Sequence, residues 1–144
     1  MALLSALAFA GCGGSDGPKL GNVSGTITLD GKPVGAGYVV EFIPHTEAEG
    51  EVRQDSSKPT SSGMTDDSGK YVLRYGNTER EGAELGKHGV VIVNAQEMKL
   101  PGAYSSGDVA TARAFWATVD SGPQVIDIPL DSSPTPAQVD LEKK

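Results

Sequence analysis

The sequence predicts an all-β fold, a seven-stranded antiparallel Greek-key β-sandwich. Three observations carry this expectation. Apolar residues recur with a period of two from residue 22 onward, the pattern of strands with one buried face. The 19 glycines and 9 prolines fall between short apolar runs, as tight turns joining many short elements require. A chain of 144 residues has room for one modest core and not comfortably for two.

The first strand is NVSGTITLD, with Val23, Ile27 and Leu29 on one face, Gly25 between them, and Ser24, Thr26 and Thr28 on the other. Asp30-Gly31 is a turn dipeptide that Lys32-Pro33 continues, and GYVVEFIP forms the second strand with Val40 and Phe42 inward. Pro44 ends it, because proline has no N–H for a ladder. Residues 45–62 are polar, charged and aperiodic, so they read as a long exposed loop. SGMTDDSGKYVLRY reads as a hairpin: a short strand over Gly63 to Thr65, a turn over Asp66-Asp67-Ser68-Gly69, and a strand with Tyr71, Leu73 and Tyr75 on one side.

After a polar stretch over 76–87, HGVVIVNA is the central-strand candidate, apolar on both faces from Val90 to Val93. MKLPGAYSSGDVATAR is loop-like, with a helical turn near Asp108 to Arg113. Two strands follow, AFWATVD over 114–120 and QVIDIPL over 124–130, split by the turn Ser121-Gly122-Pro123; Ile126, Ile128 and Leu130 face the core. Residues 132–144 form a loose tail in which Val139-Asp140-Leu141 can add an edge strand. Strands at this spacing fit a sandwich, and a barrel is the competing architecture.

Ahead of the domain, residues 1–11, MALLSALAFAG, carry no charge and match the apolar core of a signal peptide better than a membrane span. Phe9-Ala10-Gly11-Cys12 resembles a bacterial lipobox, whose cysteine is lipidated and becomes the first residue of the mature chain. Phe9 stands where an aliphatic residue is usual, and no basic residue precedes the apolar run. The expected organisation is a lipoprotein-type signal peptide over 1–11, a flexible tether over 12–21, a β-sandwich over 22–131 and a tail over 132–144. Acyl chains on Cys12 would contribute about 0.8 kcal/mol per buried CH₂, so more than one chain makes anchoring stable.

Twelve basic against nineteen acidic residues give a net charge of −7 with no Lys/Arg cluster, which argues against a nucleic-acid partner. One cysteine excludes an internal disulfide and a CxxC metal site. The segments VSGTITLDGKPVGAGYVVEFIP, GMTDDSGKYVL, GKHGVVIV, LPGAYSS and VDSGPQVIDIPL, in that order, resemble the transthyretin-like, or carboxypeptidase regulatory-like, β-sandwich domains of small bacterial lipoproteins. The resemblance implies a seven-stranded, transthyretin-like (prealbumin-like) sandwich exported to the cell envelope, and it brings no catalytic motif. It places His88 where an aromatic residue is frequent.

No constellation that carries chemistry stands out. His45 and His88 read as a surface-loop residue and a strand residue, and no metal motif, GxSxG elbow or phosphate-binding glycine loop occurs. Asp66-Asp67 read as turn residues, because a Ca²⁺ loop needs alternating ligands and a distant glutamate. Hydroxyisourate hydrolase shares the transthyretin architecture, but its histidine and arginine site and its Tyr-Arg-Gly-Ser terminus have no counterpart in a chain ending VDLEKK.

The reading is therefore a non-enzymatic, lipid-anchored envelope module with no cofactor, held to the membrane at Cys12 and serving an unknown envelope protein or glycan. The alternative is a carbohydrate-binding module in which Trp116, Phe115 and Tyr104 form a stacking platform, although aromatics in a strand pattern more often belong to a core.

Overall fold

The computed structural model describes residues 17–95 and 113–144. Among them there is no helix, and thirteen strand segments form two sheets that face each other across one core. The smaller sheet is organised on β1 (Leu20–Leu29). It pairs antiparallel with β2 (Lys32–Pro33), β6 (Lys70–Val72) and β8 (Ala83–Glu84), and parallel with β11 (Gly122–Val125) and β12 (Ile128–Leu130). The larger sheet runs in the order β13 (Ala137–Asp140), β10 (Arg113–Val119), β9 (Gly86–Asn94), β3 (Tyr38–Ala48), β5 (Ser61–Met64), β7 (Arg74–Tyr75). A further strand, β4 (Glu51–Gln54), pairs with the outer half of β3.

The period-two pattern sorts each strand's side chains. In β1, Val23, Gly25 and Ile27 are buried while Ser24, Thr26 and Thr28 are half-buried on the other face. In β3, Val40, Phe42 and Pro44 face inward, and β9 and β10 supply Val90, Ile92, Phe115, Ala117 and Val119 from the same sheet. Ile126, Ile128, Leu130, Tyr71 and Leu73 close the core from the opposite side. Burying a side chain of this size is worth about 1.5–3 kcal/mol, so the two inner faces supply the main cohesion.

Where β11 gives way to β12 the ladder on β1 is interrupted, and side chains replace the missing backbone partners. Ile126 N–H still donates to Ser24 O at 2.8 Å, but Thr26 N–H donates to the carboxylate of Asp127 at 2.9 Å. The Ile126 carbonyl turns inward and accepts the Tyr71 hydroxyl at 2.6 Å. Burial, with the charge of Asp127 nearby, pushes the Tyr71 hydroxyl's pKa upward, so it stays a neutral donor.

Four expectations are corrected. Pro44 does not end its strand: β3 runs on to Ala48, and Pro44 sits where pairing with β5 has stopped and its carbonyl accepts Asp55 N–H at 2.8 Å. The stretch 45–62 is not a loop throughout, because its first part folds back as the β3–β4 hairpin; of its paired residues only His45 is half-buried and the rest are exposed, so no hydrophobic alternation betrays them. The turn at Asp66–Gly69 forms, with Asp66 accepting the N–H groups of Ser68 and Lys70, but it joins strands of different sheets: β5 pairs with β7, and β6 with β1. Gly63 permits this crossing, since a Cβ there would lie 2.4 Å from Val72 O. Finally, three of the pairings are parallel, those of β1 with β11 and β12 and of β10 with β13, where all were expected to be antiparallel.

The edge strand anticipated near Val139 is β13, and the tail beyond it crosses to the small sheet, where Lys144 N–H donates to Val125 O at 2.8 Å. The helical turn expected at Asp108 to Arg113 lies outside the described residues apart from Arg113, which opens β10.

Candidate functional site

Because side chains alternate along β10, neighbours in sequence part company: Phe115 points into the core at 3% exposure, and Trp116 stands half-buried on the outer face of the large sheet. Phe115 is thereby removed from any ligand-binding surface, and the expected pairing of Phe115 with Trp116 does not form on one face. Tyr104 and Cys12 lie outside the described residues.

The outer face instead gathers Trp116 with residues of β3 and β9. His45, which continues β3 and is not a loop residue, meets the indole edge-to-face with ring centroids 4.9 Å apart at 77°. The floor beneath it is Gly89, where a Cβ would come within 2.9 Å of the imidazole, so glycine makes room for the ring. His45 Nδ1 lies 2.8 Å from Ile43 O and 3.2 Å from Gly89 N. One nitrogen cannot donate to the first and accept from the second, so the imidazole tautomer sets which of the two hydrogen bonds forms. Lys87 Nζ stands 5.1 Å from the indole centroid and 3.0 Å from a Glu47 carboxylate oxygen. Among the described residues the indole N–H is sealed from solvent and finds no hydrogen-bond partner. His45 escapes the sequence reading because that reading ends β3 at Pro44, and Lys87 because it starts β9 at His88; extending the Val39, Glu41, Ile43 alternation by one step places His45 on this face.

On the inner face of the same sheet His88 is buried at 1% exposure, tilted against Phe42 with centroids 5.9 Å apart. Its Nδ1–H donates to Gly86 O at 3.0 Å, and Nε2 is buried without a partner among the described residues. Burial holds its pKa below the usual imidazole value; the Gly86 carbonyl opposes the shift, His45 and Lys58 add to it, and Glu84 opposes it. The unfolded chain therefore binds the proton first as pH falls, so stability is lost from about pH 6.5 downward toward the folded-state pKa. His88→Phe is expected to flatten this acid slope and to leave stability at pH 7 within about 1 kcal/mol of the parent, since it removes both an orphaned nitrogen and a hydrogen bond. Urea unfolding of both proteins at pH 7 and pH 5 checks this; parallel losses on acidification would disprove it.

Near the β5 and β6 edges an open groove of about 880 Å³ is lined by residues that include Val39, Met64, Lys70, Val72 and Arg74 and none of the indole cluster. Among the described residues no group of three or more His, Cys, Asp or Glu side chains could hold a metal ion. No known family, curated protein or solved structure matches this chain.

Proposed function

We propose that this protein is a non-enzymatic, lipid-anchored module of the bacterial cell envelope, with a transthyretin-like Greek-key arrangement of its sandwich and a structural or interaction role. The observation that carries the reading is Phe9-Ala10-Gly11-Cys12, an apolar run ending in small residues and a lone cysteine. It is supported by the position of the domain. Strand β1 starts at Leu20, eight residues after the cysteine, and the core clusters from Val23 to Leu141. Residues 13–17, Gly-Gly-Ser-Asp-Gly, have the composition of a flexible spacer between the two.

In the host cell a fatty-acid probe is expected to label the wild type and not Cys12→Ser, and the variant should leave the membrane fraction. Equal labelling of both proteins would end the anchor reading.

A second reading, glycan binding, is favoured by the outward, half-exposed setting of Trp116 beside His45. Trp116 is the only tryptophan, so its fluorescence reports directly on an occupied site. Titration with peptidoglycan fragments or polysaccharide should shift that emission, and His45→Ala should weaken the response. An unchanged spectrum at millimolar sugar removes the reading.

A further inference from the structure

The hairpin arm made by the outer half of β3 and by β4 carries backbone hydrogen-bonding groups that no other described strand pairs with. Among the described residues β4 pairs with β3 alone, and all four of its residues are exposed. The arm closes through a two-residue turn, Glu49-Gly50, with positive φ of 54° and 80°, so Ala48 and Glu51 are its first paired residues. At its base Asp55 N–H donates to Pro44 O at 2.8 Å. Strand alternation between these points turns the N–H and C=O of Glu51 and Arg53 toward β3 and those of Val52 and Gln54 outward. A two-stranded ribbon is marginal by itself in water, and an open edge is a template for another strand.

The charges on this edge say which strand fits. Glu51, Val52 and Arg53 read acidic, apolar, basic, a triplet complementary to itself when run backwards. Within one chain Arg53 Nε donates to Glu51 at 2.9 Å, with the two side chains 73% and 64% exposed. Val52 is 40% exposed, one of four large apolar residues so placed among the described residues.

We propose that β4 pairs with β4 of a second copy of this chain, antiparallel, about a two-fold axis at Val52. The outward N–H and C=O of Val52 then exchange two hydrogen bonds with the same groups of the copy. Glu51 faces Arg53 of the copy, and Arg53 faces Glu51 of the copy, at non-hydrogen-bonded positions where opposing side chains approach most closely. Each charge trades its in-strand partner for one across the joint. An in-register parallel pairing would set Glu51 against Glu51 and Arg53 against Arg53, so the charges select the antiparallel arrangement. The joint is isologous and closes at two copies, giving a four-stranded ribbon.

Sedimentation equilibrium of the full chain carrying Cys12→Ser, which has no thiol, should show a monomer–dimer equilibrium at concentrations up to about 1 mM, the regime of a small interface. Glu51→Arg and Arg53→Glu, each placing like charges across the joint twice, should weaken association at least about tenfold. The double variant E51R/R53E restores complementarity and should recover it. Since all of these substitutions lie on an exposed arm, their melting temperatures should match the parent. A chain that stays monomeric over this range, single reversals that leave association unchanged, or a double variant as weak as the singles would each overturn the proposal.

Discussion

Gly25→Ala is expected to remove a large share of the folding stability and to lower the melting temperature by at least about 10 °C. A Cβ at this position would lie 1.9 Å from the Ile126 carbonyl oxygen and 2.9 Å from Tyr71 Cε1. Neither neighbour can retreat cheaply. Ile126 is held to β1 by its N–H on Ser24, and its carbonyl accepts the buried Tyr71 hydroxyl, so moving the oxygen breaks that bond and displaces a ring at 2% exposure.

Overpacking typically costs about 1–3 kcal/mol, a clash this close lies at the upper end, and the loss of a buried hydrogen bond adds about 1–3 kcal/mol. Against a total stability of about 5–15 kcal/mol that is a large share. Gly35→Ala is the matched control, because among the described residues a Cβ there meets nothing within 4 Å and the backbone is not left-handed. Thermal unfolding by circular dichroism should place Gly25→Ala at least about 10 °C below the parent and Gly35→Ala close to it. Equal melting temperatures for the two variants would show that the β1–Ile126 contact is softer than its geometry implies.

What could be read in the sequence, and what could not, divides along the same physical line as this prediction. Facing is a local property with a period of two, so Val23 and Ile27, Val40 and Phe42, and Ile126, Ile128 and Leu130 all take the inward positions that alternation assigns them. Pairing is not local. QVIDIPL alternates identically whether it lies parallel or antiparallel to β1, and it does lie parallel. The turn Asp66–Gly69 looks the same whether it joins neighbours or crosses between sheets; only the close approach of Gly63 to Val72 separates the two.

The β4 arm has no buried face, so it carries no periodic signal beyond the Glu49-Gly50 turn. At the candidate site, treating Phe115 and Trp116 as one platform ignored the alternation that puts them on opposite faces. The contact of Trp116 with His45 depends on the β3–β9–β10 register, which no single segment encodes.

The C-terminal segment tests how the two sheets are held together, and Leu141→Ala is expected to be the costliest single change in it. Residues 137–140 lie alongside β10, with Val139 opposite Phe115, and Leu141 N–H donates to Trp116 O at 2.7 Å. Leu141 then enters the core at 8% exposure, and the chain passes to the small sheet, where Lys143 bridges Ile126 and Lys144 bonds Val125. The segment thus spans both layers at one side of the sandwich.

Two kinds of interaction could fasten it, the apolar plug and the terminal ion pairs of Lys143 with Asp120 and Lys144 with Asp127. The ion pairs are solvent-exposed and screened, so they contribute little. Truncating a buried leucine costs about 2–4 kcal/mol through lost transfer energy and the cavity left behind. Urea unfolding should therefore show Leu141→Ala destabilised by that amount, while Lys143→Ala/Lys144→Ala stays close to the parent and responds little to added salt. Deleting residues 137–144 should cost more than Leu141→Ala, because it also uncovers the edges of β10 and β11, and should bring concentration-dependent aggregation. If the double lysine variant proved the weaker protein, the fastening would be electrostatic and the apolar plug incidental.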